Sequence, residues 1–323
     1  MRNECRREPG VGALRAPNRR GGRCYPNRGV VESLPLWEPD GVASDAPDKE
    51  NPPNDAVLTV DLVRYDGERT VADRDLVARE EPLEIQLRGA TLAVTMRTPG
   101  HDADLVRGFL VTERVVRRAA DIASIRHCTV VSDPDAEENV VNVVLSDGVA
   151  VDFEALRRNL FANSSCGVCG KASIENALAV APPLDDPARF DAAYFPALAA
   201  RLAAEQPIFA RTGGLHAAAL AEPSGGLAVV REDIGRHNAV DKVVGWALER
   251  ERVPLSGHVL LVSGRMSFEI VQKALAARIP VIAAVSAPSS LAVELALRGG
   301  LMLVGFLRAG RFNVYGRDRL RRG

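Results

Sequence analysis

HVLLVSGRMSFEIVQKALAARIPVIAAVSAPSSLAVELALRGGLMLVGFLR, residues 258–308, decides the fold. Three apolar runs, HVLLVSG, IPVIAAVSA and LMLVGFLR, alternate with FEIVQKALAAR and SSLAVELALRGG, whose apolar residues recur at helical spacing. Short unbroken apolar runs suit strands buried on both faces, and the segments between them suit amphipathic helices. The second helix is closed by glycine. Strands joined by helices of this length imply parallel βαβ units with right-handed crossovers. The stretch therefore predicts a C-terminal α/β layer.

Upstream, HNAVDKVVGWALER (237–250) and YFPALAARLAAEQ (194–206) read as helices, and LHAAALAE (215–222) and LAVVRED (227–233) as short apolar runs. APPLDDPARF (181–190) is a loop by composition. DFEALRRNLFANSS (152–165) reads as a helix running into a loop, and a second helix is expected from about Ala172 to Val180. The preceding stretch has another character. VLTVDLVRYDG (57–67) alternates as a half-buried strand does, and EPLEIQLRGATLAVTMRTPG (81–100) reads as two strands around Arg88–Gly89. HDADLVRGFLVTERVV (101–116) has helical spacing, and SIRHCTVVSD (124–133) and NVVNVVLSDG (139–148) read as strands. The expected organisation is a disordered extension over 1–55, a smaller α+β lobe over 56–150 and an α/β domain over 151–323. The extension is rich in Pro, Gly and charge, basic to about residue 30 and acidic after it.

Composition excludes some classes of function. The 323 residues carry a net charge of −1, so no global field points to nucleic acid or a membrane. No window approaches the roughly 18 uninterrupted apolar residues of a spanning helix. Five cysteines, an odd number in a long chain, argue against a disulfide scaffold and for the reducing cytoplasm.

The strongest chemical signal is SSCGVCGKASIE (164–175). Cys166 and Cys169 lie where a loop runs into a helix, and free backbone N–H groups there favour thiolate over thiol. Lys171 adds a positive charge, and Gly167 and Gly170 leave room for a bulky partner. Such a thiolate can attack a persulfide and take its outer sulfur. Three other readings lack parts. A structural zinc site needs four ligands, and no second Cys pair exists. A thioredoxin-like disulfide needs a strand before the pair, and here a helix precedes it. A nucleobase deaminase needs His-x-Glu upstream and Pro before the pair, and both are missing.

Four polar loops flank the expected strands. They carry Thr212, Gly213, Gly214 and His216; Asp233, Arg236, His237, Asn238, Asp241 and Lys242; Ser263, Gly264, Arg265 and Ser267; and Ser286, Ser289 and Ser290. One such loop alone is ordinary cap and turn chemistry. Four at the strand ends of an α/β sheet predict an anionic ligand in the crevice. The tail GFLRAGRFNVYGRDRLRR (305–322) offers Arg308 and Arg311 as phosphate clamps, with a solvated terminus expected beyond Arg317. His101, His127 and His258 read as structural.

Together, SSCGVCGKASIE, FARTGGLHAAAL, EDIGRHNAVDKVVG, VSGRMSFEIVQKA and GFLRAGRFNVY resemble the FdhD/NarQ family over roughly residues 57–320. The resemblance implies a formate dehydrogenase accessory sulfurtransferase with a cytidine-deaminase-like three-layer C-terminal domain, acting as a homodimer. It implies that an L-cysteine desulfurase supplies sulfur to Cys166 as a persulfide, with Cys169 as the second cysteine of the pair. It implies that the sulfur passes to a Mo-bis(molybdopterin guanine dinucleotide) acceptor destined for formate dehydrogenase. The implied cofactor-binding segment is Phe306, Leu307, Arg308, Ala309, Gly310 and Arg311, with no catalytic metal of the protein's own. The main rival is a chaperone that binds the dinucleotide without sulfur chemistry, with a redox regulator as a weaker third choice.

Overall fold

A computed structural model of the chain describes residues 56–65, 67–128, 138–151 and 170–321. The extension expected over 1–55, the helix expected over 152–165 and the Cys166–Cys169 pair lie outside them. The described chain opens with a ribbon of two antiparallel strands, β1 (Val57–Tyr65) and β2 (Thr70–Ala78). Strands β3 (Glu81–Leu87) and β4 (Ala90–Arg97) form a hairpin. Its turn residues, Arg88 (φ 54) and Gly89 (φ 77), are both left-handed, the backbone that suits a two-residue hairpin turn. Helix α1 (Asp102–Thr112) follows, then β5 (Ile122–His127) and β6 (Val140–Leu145), giving a four-stranded sheet in the order β4-β3-β6-β5.

Helices α2 (Gly170–Val180), α3 (Tyr194–Ala204) and α4 (Pro207–Thr212) lead into β7 (His216–Ala221) and β8 (Leu227–Asp233). Then come α5 (Arg236–Glu249), β9 (Val259–Val262), α6 (Phe268–Ala276), β10 (Val281–Ala284), α7 (Ser290–Gly299), β11 (Met302–Arg308) and β12 (Arg311–Gly316). The six-stranded sheet has the order β12-β11-β10-β9-β7-β8. As the alternation of apolar runs and helices predicts, β9, β10 and β11 are parallel; β7, β8 and β12 run antiparallel to their neighbours.

Side chains leave this sheet alternately. Leu220, Leu260, Ile282 and Leu303 face the core they share with α1, α5, α6 and α7. Ala219, Leu261, Ala283 and Val304 face Phe195, Leu198 and Leu202 of α3. The result is an α/β fold with helices on both faces. Leu83, Ile85, Val141 and Val143 of the four-stranded sheet belong to the first core, so α1 and α5 join the two sheets.

Helices α1 and α5 touch backbone to backbone. A Cβ on Gly108 would lie 1.8 Å from the Asp241 carbonyl oxygen, and one on Gly245 would lie 1.8 Å from that of Asp104. Buried ion pairs lock the same junction. Lys242 Nζ lies 2.7 Å from Asp233 Oδ2 and donates to the Thr98 carbonyl, and Lys273 Nζ lies 2.8 Å from Asp241 Oδ2. Arg97, 1% exposed, pairs with Asp102 at 3.0 Å. Charges this deep must be paired to be tolerated.

The C-terminal tail departs from the solvated terminus expected beyond Arg317 chiefly at Arg319. Residues 311–316 form β12, and Arg319 is 0% exposed. Its guanidinium donates to the main-chain carbonyls of Asp186 and Gly300, and its carbonyl accepts from Phe190 N–H at 2.9 Å. Gly300 closes α7, whose last carbonyls need donors that a planar guanidinium supplies in a fixed fork. Around it Arg317, Asp318 and Arg321 are exposed.

Candidate functional site

The four polar loops meet at one edge of the six-stranded sheet, where the parallel strands end. Ser263 N–H donates to the Ala217 carbonyl, and its hydroxyl accepts from Ala217 N–H at 2.9 Å, which joins the end of β9 to the start of β7. Met266 N–H donates to the Ala287 carbonyl, and Ser289 N–H to that of Met266. Phe306 N–H then donates to the Ser286 carbonyl at 3.0 Å. The rim therefore runs from His216 past residues 263–267 and 286–289 to the β11–β12 hairpin. Edges of this kind are where open α/β sheets bind ligands.

At one end of the rim sit His216, Arg236, His237, Gly264, Ser267 and Glu269. A Cβ on Gly264 would lie 3.3 Å from His216 Nδ1, so glycine lets the imidazole come close. His237 Nε2 is 3.4 Å from Ser267 Oγ and 3.9 Å from Glu269 Oε2. Neither Gly235 at the start of α5 nor Ser267 at the start of α6 caps its helix with a side chain, whereas Ser289 caps α7. Uncapped N-termini present free N–H groups to an anion. Arg236 Nε is buried without a hydrogen-bond partner.

The electrostatics agree. Burial, then Arg236 and Lys273, hold His237 down to about 4. Burial, then Arg236 and Arg265, lower His216. Burial raises Glu269, but the Ser267 hydroxyl and its neighbours outweigh it and bring it below the usual carboxylate range. At neutral pH this end holds two neutral imidazoles and one carboxylate beside two guanidinium groups. A bound anion would favour protonation of both imidazoles.

At the other end, Phe306, Arg308, Arg311, Phe312 and Asn313 line a cleft of about 360 Å³. Leu307 is buried, Ala309 and Gly310 form the exposed turn, and Arg308 Nη1 donates to the Val285 and Leu307 carbonyls. Gly310 has φ 79, which a glycine takes without strain.

Several residues singled out in the sequence serve the fold. Asp233, Asp241 and Lys242 are in the buried ion pairs, and Asn238 donates to the Met96 carbonyl and to Asp233. Thr212 and Gly213 end α4, where Gly213 is left-handed (φ 66). Cys166 and Cys169 lie outside the described residues, but α2 begins at Gly170, the very next residue. Ile174 and Ala177 anchor α2 in the core, and Ala181 just after it joins them. His101 precedes α1, His127 ends β5 and His258 sits against Ser256 and Arg252. Glu269 went unread: its one signal is an acid in the first turn of a helix, which is ordinary at any N-terminus.

The family model for FdhD/NarQ matches residues 78–321. The chain belongs to the FdhD/NarQ family. The sulfur carrier protein FdhD of Mycobacterium tuberculosis is 50% identical over 261 residues, 79% of this chain and 95% of that protein. Its counterpart in Streptomyces coelicolor is 53% identical over 251 residues, 76% of this chain and 89% of that one. A solved structure from Desulfotalea psychrophila, assigned to the formate dehydrogenase accessory proteins, superposes with a TM-score of 0.65 at 25% identity. It covers 82% of this chain and 100% of that one. The family match over residues 78–321 takes in the four-stranded and six-stranded sheets and the rim. No described helix is long and apolar enough to cross a membrane.

Proposed function

We propose that this FdhD/NarQ protein is a sulfur carrier that loads Cys166 from an L-cysteine desulfurase and passes the sulfur to a Mo-bis(molybdopterin guanine dinucleotide) acceptor for formate dehydrogenase. The observation that carries the reading is the cysteine pair ending one residue before α2, in a chain about half identical to named sulfur carriers. The Cys166 thiolate, favoured by the helix start, attacks the outer sulfur of the donor's persulfide. A new S–S bond forms at Cys166, the donor's S–S bond breaks, and the donor cysteine leaves as thiolate. The exchange is redox-neutral. Cys169, the second cysteine of the pair, assists the transfer in this reading.

The acceptor is a large polyanion, and the rim supplies what it needs. Arg308 and Arg311 stand at one end, and Arg236, Arg265 and two uncapped helix starts at the other. The acceptor is substrate, not a resident group. The cytoplasm, where thiols stay reduced, suits a persulfide carrier, and a homodimer is the form the family resemblance implies.

The test is formate dehydrogenase activity in cells whose own copy of the gene is deleted. Wild type restores activity, and Cys166→Ala leaves it at the level of the deletion. Full activity with Cys166→Ala would reject the carrier role and favour a chaperone that only holds the dinucleotide.

A further inference from the structure

Helices α1 and α6 end in the same unusual way. At the end of α1, Arg114 N–H donates to the Val111 carbonyl at 3.0 Å and Val115 N–H to that of Leu110 at 2.8 Å. At the end of α6, Arg278 N–H donates to the Leu275 carbonyl at 3.1 Å and Ile279 N–H to that of Ala274 at 2.9 Å. Both are Schellman closures, whose left-handed residue is usually glycine. Here it is arginine both times, Arg114 with φ 65 and Arg278 with φ 62. A residue with a Cβ is strained in that conformation. The two ends adjoin, since Lys273 in the last turn of α6 donates to Thr112 and lies 3.6 Å from Glu113.

The guanidinium groups meet without a counter-charge. Arg114 is half-buried, and its Nη2 is buried with no hydrogen-bond partner. Burial, then the charges of Arg278 and Arg117, push it below the ordinary arginine value, and no described acid pulls the other way. The acids beside them in the chain are engaged, Glu113 with Lys273 and Asp121 with the Arg118 guanidinium at 2.9 Å. Arg278 donates to the Pro182 and Pro183 carbonyls just beyond α2, which fixes it in place. The negative end of a helix favours a nearby cation. It does not account for three together, nor for a buried donor left without an acceptor. Cations gathered round such a donor suit an anion with several oxygens, which forked guanidinium groups hold by paired hydrogen bonds.

We propose that Arg114, Arg117 and Arg278 form a site for a tetrahedral oxyanion of the phosphate type, separate from the rim. The rim lies at the start of α6 and this site at its end, about 13 Å along the axis. The bound ion joins the ends of α1 and α6. Through Arg278 it also reaches the segment that follows α2, the helix opened by the cysteine pair. The proposal does not depend on the reading of Cys166 or of the rim.

The test is calorimetric titration of the full chain with inorganic phosphate, at an ionic strength held constant with sodium chloride. Arg114→Gln binds one phosphate per chain about 10- to 100-fold more weakly, the effect of losing hydrogen bonds to a charged group. Arg118→Gln removes the same charge from a guanidinium already paired with Asp121, and leaves the titration unchanged. Arg311→Gln, on the rim, keeps this phosphate. In wild type phosphate slows hydrogen exchange at the Val115 and Ile279 amides, and in Arg114→Gln it does not. Arg114→Gly also loses the ion, yet without phosphate it melts at or above the wild-type temperature, because the left-handed backbone is relaxed. Phenyl phosphate is titrated separately. Equal or tighter binding than phosphate assigns the site to a phosphate monoester, and weaker binding assigns it to the free ion. If Arg114→Gln takes up phosphate like wild type, or if Arg118→Gln loses it equally, the arginines do not form a site. Absence of phosphate binding to wild type would overturn the proposal outright.

Discussion

Gly245→Ala destabilises the protein by about 2 kcal/mol or more, measured as a fall in the midpoint of urea unfolding. Two effects oppose each other. Alanine in a helix interior is favoured over glycine by roughly 1 kcal/mol. The added methyl, however, would sit 1.8 Å from the Asp104 carbonyl oxygen and 2.7 Å from Gly108 N. Both are backbone atoms of α1 and cannot swing aside, so the helices must separate. Overpacking of this kind costs typically 1–3 kcal/mol and more where backbone is forced to move. Moving α1 also disturbs the Thr112–Asp241–Lys273 contacts beneath it, which is why the clash outweighs propensity. Against a total of about 5–15 kcal/mol, that loss is large. Gly108→Ala, whose methyl would meet the Asp241 carbonyl, behaves alike. An unchanged or raised midpoint in both variants would show that α1 and α5 do not meet through these glycines.

Lys273→Met has the second large effect. Lys273 donates to both oxygens of Asp241, at 3.0 and 2.8 Å, and to Thr112 Oγ1, and lies 3.6 Å from Glu113. Burial pulls its ammonium down, but Asp241 and Glu113 together keep it above the ordinary lysine value. Burial likewise pushes the Asp241 carboxyl up, against the pull of Lys273. The three donor contacts on Asp241 from Lys273 and Thr112 support the charged form. Removing the ammonium leaves a buried carboxylate with Thr112 as its remaining donor, a loss of about 3–5 kcal/mol at neutral pH. In the variant the folded pKa of Asp241 lies above its unfolded value. The penalty is therefore absent below the unfolded pKa and grows as pH rises through the interval up to the folded one. Unfolding midpoints of wild type and variant should thus converge in acid. The pair Lys273→Met with Asp241→Leu recovers most of the stability. Equal losses at all pH values would contradict a charged pair at this position.

The parts of the fold that could be read in the sequence are those where local pattern and burial agree. Strands β9 and β10 are four residues each, all buried, so they appear as bare apolar runs between helices. The β3–β4 turn was legible because Arg88–Gly89 leaves few other ways to reverse the chain. Strand β2 was not, since its first six residues are exposed and nothing buried marks an alternation. Strand β12 is half-exposed between arginines, which disguised it as tail. The same limit applies to the rim. Its loops could be gathered from the sequence because each follows a readable strand or opens a readable helix. Which of their side chains face ligand could not, because that depends on partners far along the chain. Asp241 and Lys242 stand side by side in one motif, yet one pairs with Lys273 and the other with Asp233. Arg319 looked like any terminal arginine until the carbonyls of Asp186 and Gly300 came around it.

The central claim is that sulfur rides on Cys166, and intact mass tests it most directly. Wild type and Cys166→Ala are incubated with a cysteine desulfurase and cysteine, freed of small molecules, and weighed without reductant. The account predicts a gain of one sulfur atom in wild type, removed by dithiothreitol, and no gain in Cys166→Ala. An equal gain in both proteins would place the sulfur elsewhere, and no gain in either would contradict the carrier role.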